Sequence, residues 1–267
     1  MASAMIDGES RALAGLHIDV RRHGFETRSG WNEVLRNVDI RIGPGEFFCL
    51  VGQSGCGKST LLNIIAGFLA ATEGTVALDS RALTGPSNDR VVVFQDVHNS
   101  LFPWMTVREN VEFGLKMLDR PKDERRQRVD SLLQLVGLSE HDDKFPDELS
   151  GGMKQRVQIA RALAIGPKIL LMDEPFASLD AQTRRTMQAE LLRIWEQTGT
   201  SVLFITHDII EAVTLADRIG VMSKGPGATI SQVITPELTR PRAFADVEFT
   251  TLVSRVEQIL GRERAHA

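Results

Sequence analysis

The apolar residues of this chain switch repeatedly between two spacings, and the switching predicts its fold class. Phe47-Phe48-Cys49-Leu50-Val51 is a continuous apolar run, as expected of a strand buried on both faces. Gly43-Pro44-Gly45 punctuates the chain just before it. Thr75 to Leu78, Val91 to Phe94, Ile169 to Met172 and Ser201 to Ile205 read as further strands. Between them the spacing becomes helical. Leu61 to Ala66 predicts a helix ending near Gly67, and Asn110 to Leu118 and Asp123 to Val136 predict amphipathic helices. Met153 to Ile165 reads as a strong helix stopped by Gly166-Pro167, and Met187, Leu191, Ile194 and Trp195 recur at helical spacing before Gly199. Strands separated by helices predict a parallel α/β sheet. No strand pattern occurs from Gln95 to about Gly166, so that segment is expected to be a helical insertion. Near the end, Phe249, Leu252, Val253, Val256, Ile259 and Leu260 share one helical face. That face is expected to dock on the body of the protein, because the polar side is not basic enough for a membrane-surface helix.

Composition changes this picture only at its edges. The 267 residues suffice for one large domain or two small ones, and 42% hydrophobic with 25% charged residues is ordinary for a globular chain. A net charge of -4 argues against general nucleic-acid binding, which needs an excess of Lys and Arg. No apolar stretch approaches ~20 residues, so no membrane span is expected. Met1 to Leu16 carries Asp7, Glu9 and Arg11 and has no apolar core, so no signal peptide is expected either. The two cysteines, Cys49 in the apolar run and Cys56 in a glycine loop, suit a reducing compartment.

The chemistry begins at Gly52-Gln53-Ser54-Gly55-Cys56-Gly57-Lys58-Ser59-Thr60, which fits the spacing G-x-x-x-x-G-K-[ST]. Glycines let backbone N–H groups converge on phosphate oxygens, Lys58 neutralises the outer phosphates, and Ser59 offers a hydroxyl to Mg²⁺. An apolar strand before it and a helix after it are the context the motif requires. Ile169 to Met172 then delivers Asp173, a carboxylate suited to a Mg²⁺ shell, with Glu174 beside it as a general base for water and Pro175 as a stop. Farther upstream, Leu149-Ser150-Gly151-Gly152 opens the Met153 helix. Ser150 is a good N-cap, and such a helix start either binds an anion or is simply a capped helix.

Taken in order, these motifs resemble the ATP-binding subunit of an ABC transporter over nearly the full chain. Leu149-Ser150-Gly151-Gly152-Met153-Lys154-Gln155 is similar to the signature motif of that family. Gln95, after Val91 to Phe94, resembles its Q-loop glutamine. Ser178-Leu179-Asp180 resembles the D-loop, and His207, after Ser201 to Ile205, the switch histidine. The resemblance implies a single nucleotide-binding domain over residues 1–267. Its parts would be an α/β P-loop core, an N-terminal antiparallel β portion, a helical subdomain near 97–165 and a helical tail near 245–262. It implies ATP and Mg²⁺ as ligands, with Ser59, Gln95 and Asp173 at the metal and Glu174, His207 and Gln95 at the reaction. It also implies a homodimer in which each ATP lies between the phosphate loop of one copy and Ser150, Gly151, Gly152 and Asp180 of the other. The family places a base-stacking aromatic upstream of the phosphate loop. Phe25 and Trp31 both qualify, with Phe25 favoured, and Glu26 to Asn32 resembles an insertion.

The resemblance narrows further. Ser150 to Arg156 with Met153, the Phe102-Pro103-Trp104 run and Arg240-Pro241-Arg242 are similar to the importers of nitrate, aliphatic sulfonates and taurine. Arg240-Pro241-Arg242 also reads simply as a proline-rich linker. The stretch Asp96 to Leu101 resembles the family form with slight lengthening. The implied partners are membrane-spanning permease subunits and, indirectly, a periplasmic or extracellular solute-binding protein, with no nucleic acid. The implied location is peripheral, on the cytoplasmic face of the cell membrane. Phe102, Pro103, Trp104 and Met105 would line a groove for a short helix of the membrane subunit, or would pack internally. A soluble ABC-type ATPase acting on nucleic acid or ribosomes is the alternative. It would bring a long coiled-coil insertion or two ATPase halves, and neither is in the sequence. A P-loop kinase would bring an acceptor site and a lid, and nothing after Val91 suggests them.

Overall fold

The computed structural model describes residues 15–96 and 100–265, with side chains to residue 261. Met1 to Ala14 and residues 97–99 lie outside the described residues, and with them the expectations for a leader and for the middle of Asp96 to Leu101. The strands and helices run β1 Leu16–Thr27, β2 Gly30–Ile42, β3 Phe47–Val51, α1 Lys58–Ala66, β4 Glu73–Leu78, β5 Arg81–Ala82 and β6 Arg90–Val93. They continue α2 Val107–Met117, α3 Lys122–Leu135, α4 Gly151–Ala164, β7 Ile169–Asp173, α5 Ala181–Thr198 and β8 Ser201–Thr206. The chain then adds α6 Ile209–Leu215, β9 Arg218–Met222, β10 Ile230–Ile234 and α7 Val247–Ala265. Two compact units divide it, Met1–Ser87 with Ser201–Ala267, and Asn88–Thr200.

The first unit contains an antiparallel sheet in the order β2-β1-β4-β5 and a second group in which β3 lies parallel to both β8 and β9, with β10 antiparallel on β9. All five residues of β3 are buried, and so are all six of β8, which explains the apolar runs Phe47 to Val51 and Val202 to Ile205. Each such side chain contributes about 1.5–3 kcal/mol of burial energy. Phe47 packs on Phe204 across the β3–β8 pair, with ring centroids 5.9 Å apart. Arg28 and Ser29 turn β1 into β2, closed by the Thr27–Gly30 pair and by a 2.7 Å bond from the Thr27 hydroxyl to the Gly30 carbonyl. Glu26 to Asn32, the segment that resembles an insertion, forms the tip of this paired hairpin. The tail helix α7 docks as its apolar face requires: Phe249 and Val256 are buried, and it packs on α6 and β9.

The second unit pairs β6 with β7 in parallel and gathers its helices around α4, which packs against α2, α3, α5 and β6. α2 starts with a full capping box between Thr106 and Glu109, and α5 stops at Gly199 in the left-handed conformation. Cys49 and Cys56 are both buried and form no disulfide. Among the described residues no helix is long and apolar enough to cross a membrane.

Candidate functional site

The phosphate loop follows β3 directly. Gly57 caps α1 with φ +100°, and a β-carbon there would meet Val34 Cγ1 at 2.9 Å and Leu35 Cδ2 at 3.0 Å. Only glycine fits that turn. α1 has neither a side-chain cap nor an acidic residue in its first turn. Every other helix with a described start has one or the other. The first amides of α1 therefore face outward with no side chain competing for them, beside the positive end of the helix. Lys58 is buried, and its ammonium donates to the Gly52 and Gln53 carbonyls at 2.9 Å each. An ammonium has three donors, so the loop's own carbonyls take two. Ser54 and Gly55 are exposed on the loop, Ser59 is exposed, and Thr60 is half-buried. Cys56 is buried, and burial pushes its thiol pKa up, so it remains protonated.

The hairpin above the loop separates the two candidate aromatics. His23 pairs with Leu35 in register, so both side chains share the face that meets Gly57. Phe25 stands on that same face, its ring perpendicular to the His23 ring with centroids 5.0 Å apart. Burial holds the His23 imidazole below its usual pKa, so it is neutral around pH 7. Trp31 lies on the opposite face. Its ring covers Gly24, where a β-carbon would sit 2.7 Å from Cζ2, and the Arg22 guanidinium stacks 5.1 Å from its centroid.

After β8 the chain makes a hydrogen-bonded corner. The Asp208 amide donates to the Thr206 hydroxyl at 2.9 Å, and that hydroxyl donates to Glu211 Oε2 at 2.6 Å. Asp208 in turn caps α6, accepting from the Ile210 amide at 2.9 Å and the Glu211 amide at 3.3 Å. His207, exposed, is held between two residues fixed in this way. Thr206 and Glu211 are both buried, and the sequence reading missed them. The cue was a hydroxyl and a carboxylate flanking the histidine at short spacing.

In the second unit β7 ends at Asp173, half-buried, followed by Glu174 with φ +45°. A left-handed backbone at a glutamate ahead of a proline is rare and costs on the order of 1–3 kcal/mol. Gln95 is exposed just past β6, and its neighbour Phe94 has its carbonyl held by the buried Gln158 amide of α4 at 3.1 Å. The helix that begins at the serine-glycine motif thus also braces the segment leading to Gln95. At its start the Ser150 hydroxyl accepts from the Met153 amide at 3.3 Å. Gly151 and Gly152 form the first turn, beside a cavity of about 260 Å³ lined by Ser150, Gly152, Arg156 and Thr183 among others. Asp180 caps α5, accepting from the Gln182 and Thr183 amides at 3.0 Å each. A side-chain hydrogen bond with Thr183, joined by the Thr183 and Gln182 amides, holds its carboxyl below the usual range.

The apolar cluster of this unit is half packed and half presented. Asn110 is fully buried and binds the Phe102 amide and the Phe102, Met105 and Thr106 carbonyls at 2.9–3.1 Å. Phe102 packs on Phe113 and under Arg161, whereas Trp104 is 69% exposed. Asn110 is the residue that shapes this loop, and its buried place on an amphipathic helix hid it from sequence reading.

The family model described as ABC transporter matches residues 35–177, more than half of the chain. The chain belongs to the ABC transporter family. This ABC cassette is 46% identical over 258 residues to the nitrate import ATP-binding protein NrtD of Synechococcus elongatus, covering 94% of this chain and 93% of that protein. It is 50% identical over 223 residues to the bicarbonate transport ATP-binding protein CmpC of the same organism, covering 82% of this chain and 33% of that longer protein. Among solved structures it matches the dimeric ATP-binding cassette MJ0796 bound to ADP and Pi, with a TM-score of 0.68 and 32% identity, over 86% of this chain and all of that one. The fold is accordingly the α/β ABC-type P-loop ATPase, with its N-terminal antiparallel sheet and helical segment, and the chain is a nucleotide-binding ATPase.

Proposed function

We propose that this cassette hydrolyses ATP to drive an importer of nitrate or a similar small solute, as a peripheral subunit on the cytoplasmic face of the membrane. The observation that carries the ATPase reading is the start of α1: an acid-free, uncapped helix end under a glycine turn, with a buried lysine beside it. Gly52, Ser54, Gly55, Cys56, Gly57, Ser59 and Thr60 line the phosphates through the backbone, and Lys58 offers its third donor to the outer phosphates. The oxygen donors Ser59, Gln95 and Asp173 suit Mg²⁺, a hard cation that keeps phosphate and water in its shell. Glu174 acts on the attacking water as general base, and its left-handed backbone supports a role beyond folding. His207 holds the outer phosphate and the water, and Gln95 touches Mg²⁺ or the attacking water and senses the membrane partner. Phe25, on the loop-facing side of the hairpin, stacks on the base, while the packing of Trp31 on Gly24 and Arg22 argues against it.

Two copies associate around two ATP molecules, with Ser150, Gly151, Gly152 and Asp180 of one reaching the phosphates held by the other. Closure works on permease subunits through the loop that presents Trp104, and a solute-binding protein delivers cargo outside. The nitrate and bicarbonate import names of the relatives support a small oxyanion as that cargo, which this chain never touches. The test is Glu174→Gln with Mg-ATP. Phosphate release is abolished, ATP binding is kept, and the protein runs as a dimer in size-exclusion chromatography. Near-parental turnover would remove Glu174 as base. Uptake of nitrate, bicarbonate, taurine and alkanesulfonates into vesicles carrying the chain with its permease identifies the solute.

A further inference from the structure

The Arg240-Pro241-Arg242 segment is a clamp on α6. Arg242 Nη1 donates to the Val213 carbonyl at 2.6 Å and the Ala216 carbonyl at 2.8 Å, and its Nε donates to the Leu238 carbonyl at 3.1 Å. Arg240 Nη2 donates to the Leu215 carbonyl. Its Nη1 meets Asp217 Oδ1 at 2.7 Å, and the other oxygen of Asp217 accepts from the Phe47 amide at 2.9 Å, on the strand that feeds the phosphate loop. Three carbonyls at the end of α6 and the residue after it are thus occupied by two guanidinium groups. Such carbonyls lack helical partners and carry the negative end of the helix dipole, so arginine is the residue best suited to them. Burial and the neighbouring Arg240 pull the pKa of Arg242 down to about 10, and it stays charged at neutral pH.

The other end of α6 is the corner that holds His207. α6 has seven residues, too few to be stable alone, so its placement depends on its packing against β3, β8 and α7 and on what grips its two ends. At the front these are Thr206, Asp208 and Glu211, and at the back Arg240 and Arg242. We propose that Arg240 and Arg242 are positioning residues for hydrolysis, which set the place of His207 by anchoring the far end of α6. This rests on the reading of His207 as the group that holds the outer phosphate and water. α7, whose Phe249 and Val256 are buried, packs on α6 and extends the same anchorage.

The test compares Arg242→Ala, Arg242→Lys and His207→Ala in the full chain with Mg-ATP. In Arg242→Ala, kcat falls roughly 10-fold or more, KM for ATP stays within about 2-fold, and ATP still binds one per chain. Amide exchange quickens across residues 206–211 and is unchanged across residues 52–59. Arg242→Lys, which keeps a charge and donors at the helix end, recovers part of the rate. A merely structural role would instead lower the bound ATP stoichiometry in step with turnover, and that outcome overturns the proposal. So does parental kcat in Arg242→Ala alongside loss of turnover in His207→Ala. Parental turnover in His207→Ala itself sinks the reading beneath the proposal. If Arg242→Ala does not fold, Arg240→Ala leaves the Arg242 bonds in place and gives the same kcat loss at smaller size; its absence overturns the proposal equally.

Discussion

The start of α1 and the start of α4 look alike in sequence, each a glycine-rich turn opening a helix, yet the two are built differently. At α1 no side chain caps the helix and no acid sits in the first turn. At α4 the Ser150 hydroxyl already accepts from the Met153 amide. The first end offers bare amides and a lysine to an anion. The second is self-satisfied and offers a hydroxyl that stays bonded until something else approaches. A site that must grip ATP in the lone chain needs the former. A site that serves a second copy can rest in the latter without cost to stability, since its orphan donor is met.

Mutations at the two ends break or sharpen that contrast. The largest effect is expected for Lys58→Ala. Removing a charged donor weakens ATP binding roughly 10²-fold, read by equilibrium dialysis, and binding within a few-fold of the parent would show that the uncapped helix end alone suffices. Gly57→Ala comes next. The left-handed φ and the contact with Val34 cost on the order of 1–3 kcal/mol, seen as a lower denaturant midpoint together with weaker ATP binding. Ser150→Ala is the mildest for the lone chain, about 1 kcal/mol of stability from the lost cap, with ATP affinity of the monomer unchanged. In the Glu174→Gln background, however, it prevents the ATP dimer. If Ser150→Ala weakens ATP binding by the monomer, the two helix ends are not divided as proposed.

Much of the fold was legible in the chain. β3, β7 and β8 are short and bounded by turns, and their ends were placed within a residue or two because burial on both faces leaves an apolar interior, with polar residues only at the ends of β7 and β8. β1 and β2 were harder. One face of that hairpin is solvated and carries charges such as Arg22, Glu33 and Arg36, so its pattern is diluted. The motif residues could be named from sequence because their spacing is chemical. Gln158 could not, because its partner, the Phe94 carbonyl, lies 64 residues away in sequence. Asn110, Thr206 and Glu211 bond within a few residues, but nothing in a polar residue's type or spacing says that it will be buried there.

The sequence alone determined that this chain handles nucleotide phosphates, for a backbone cradle is written by glycine spacing, and local spacing needs no partner to be read. It also determined the order of strand and helix, since periodicity is a local property. The tertiary structure alone decided which aromatic shares a face with the phosphate loop, because strand register converts neighbours in sequence into opposite faces. It alone turned Arg240-Pro241-Arg242 from a linker into an anchor, because the carbonyls those arginines bind come from residues 213–216, and only folding brings the two together.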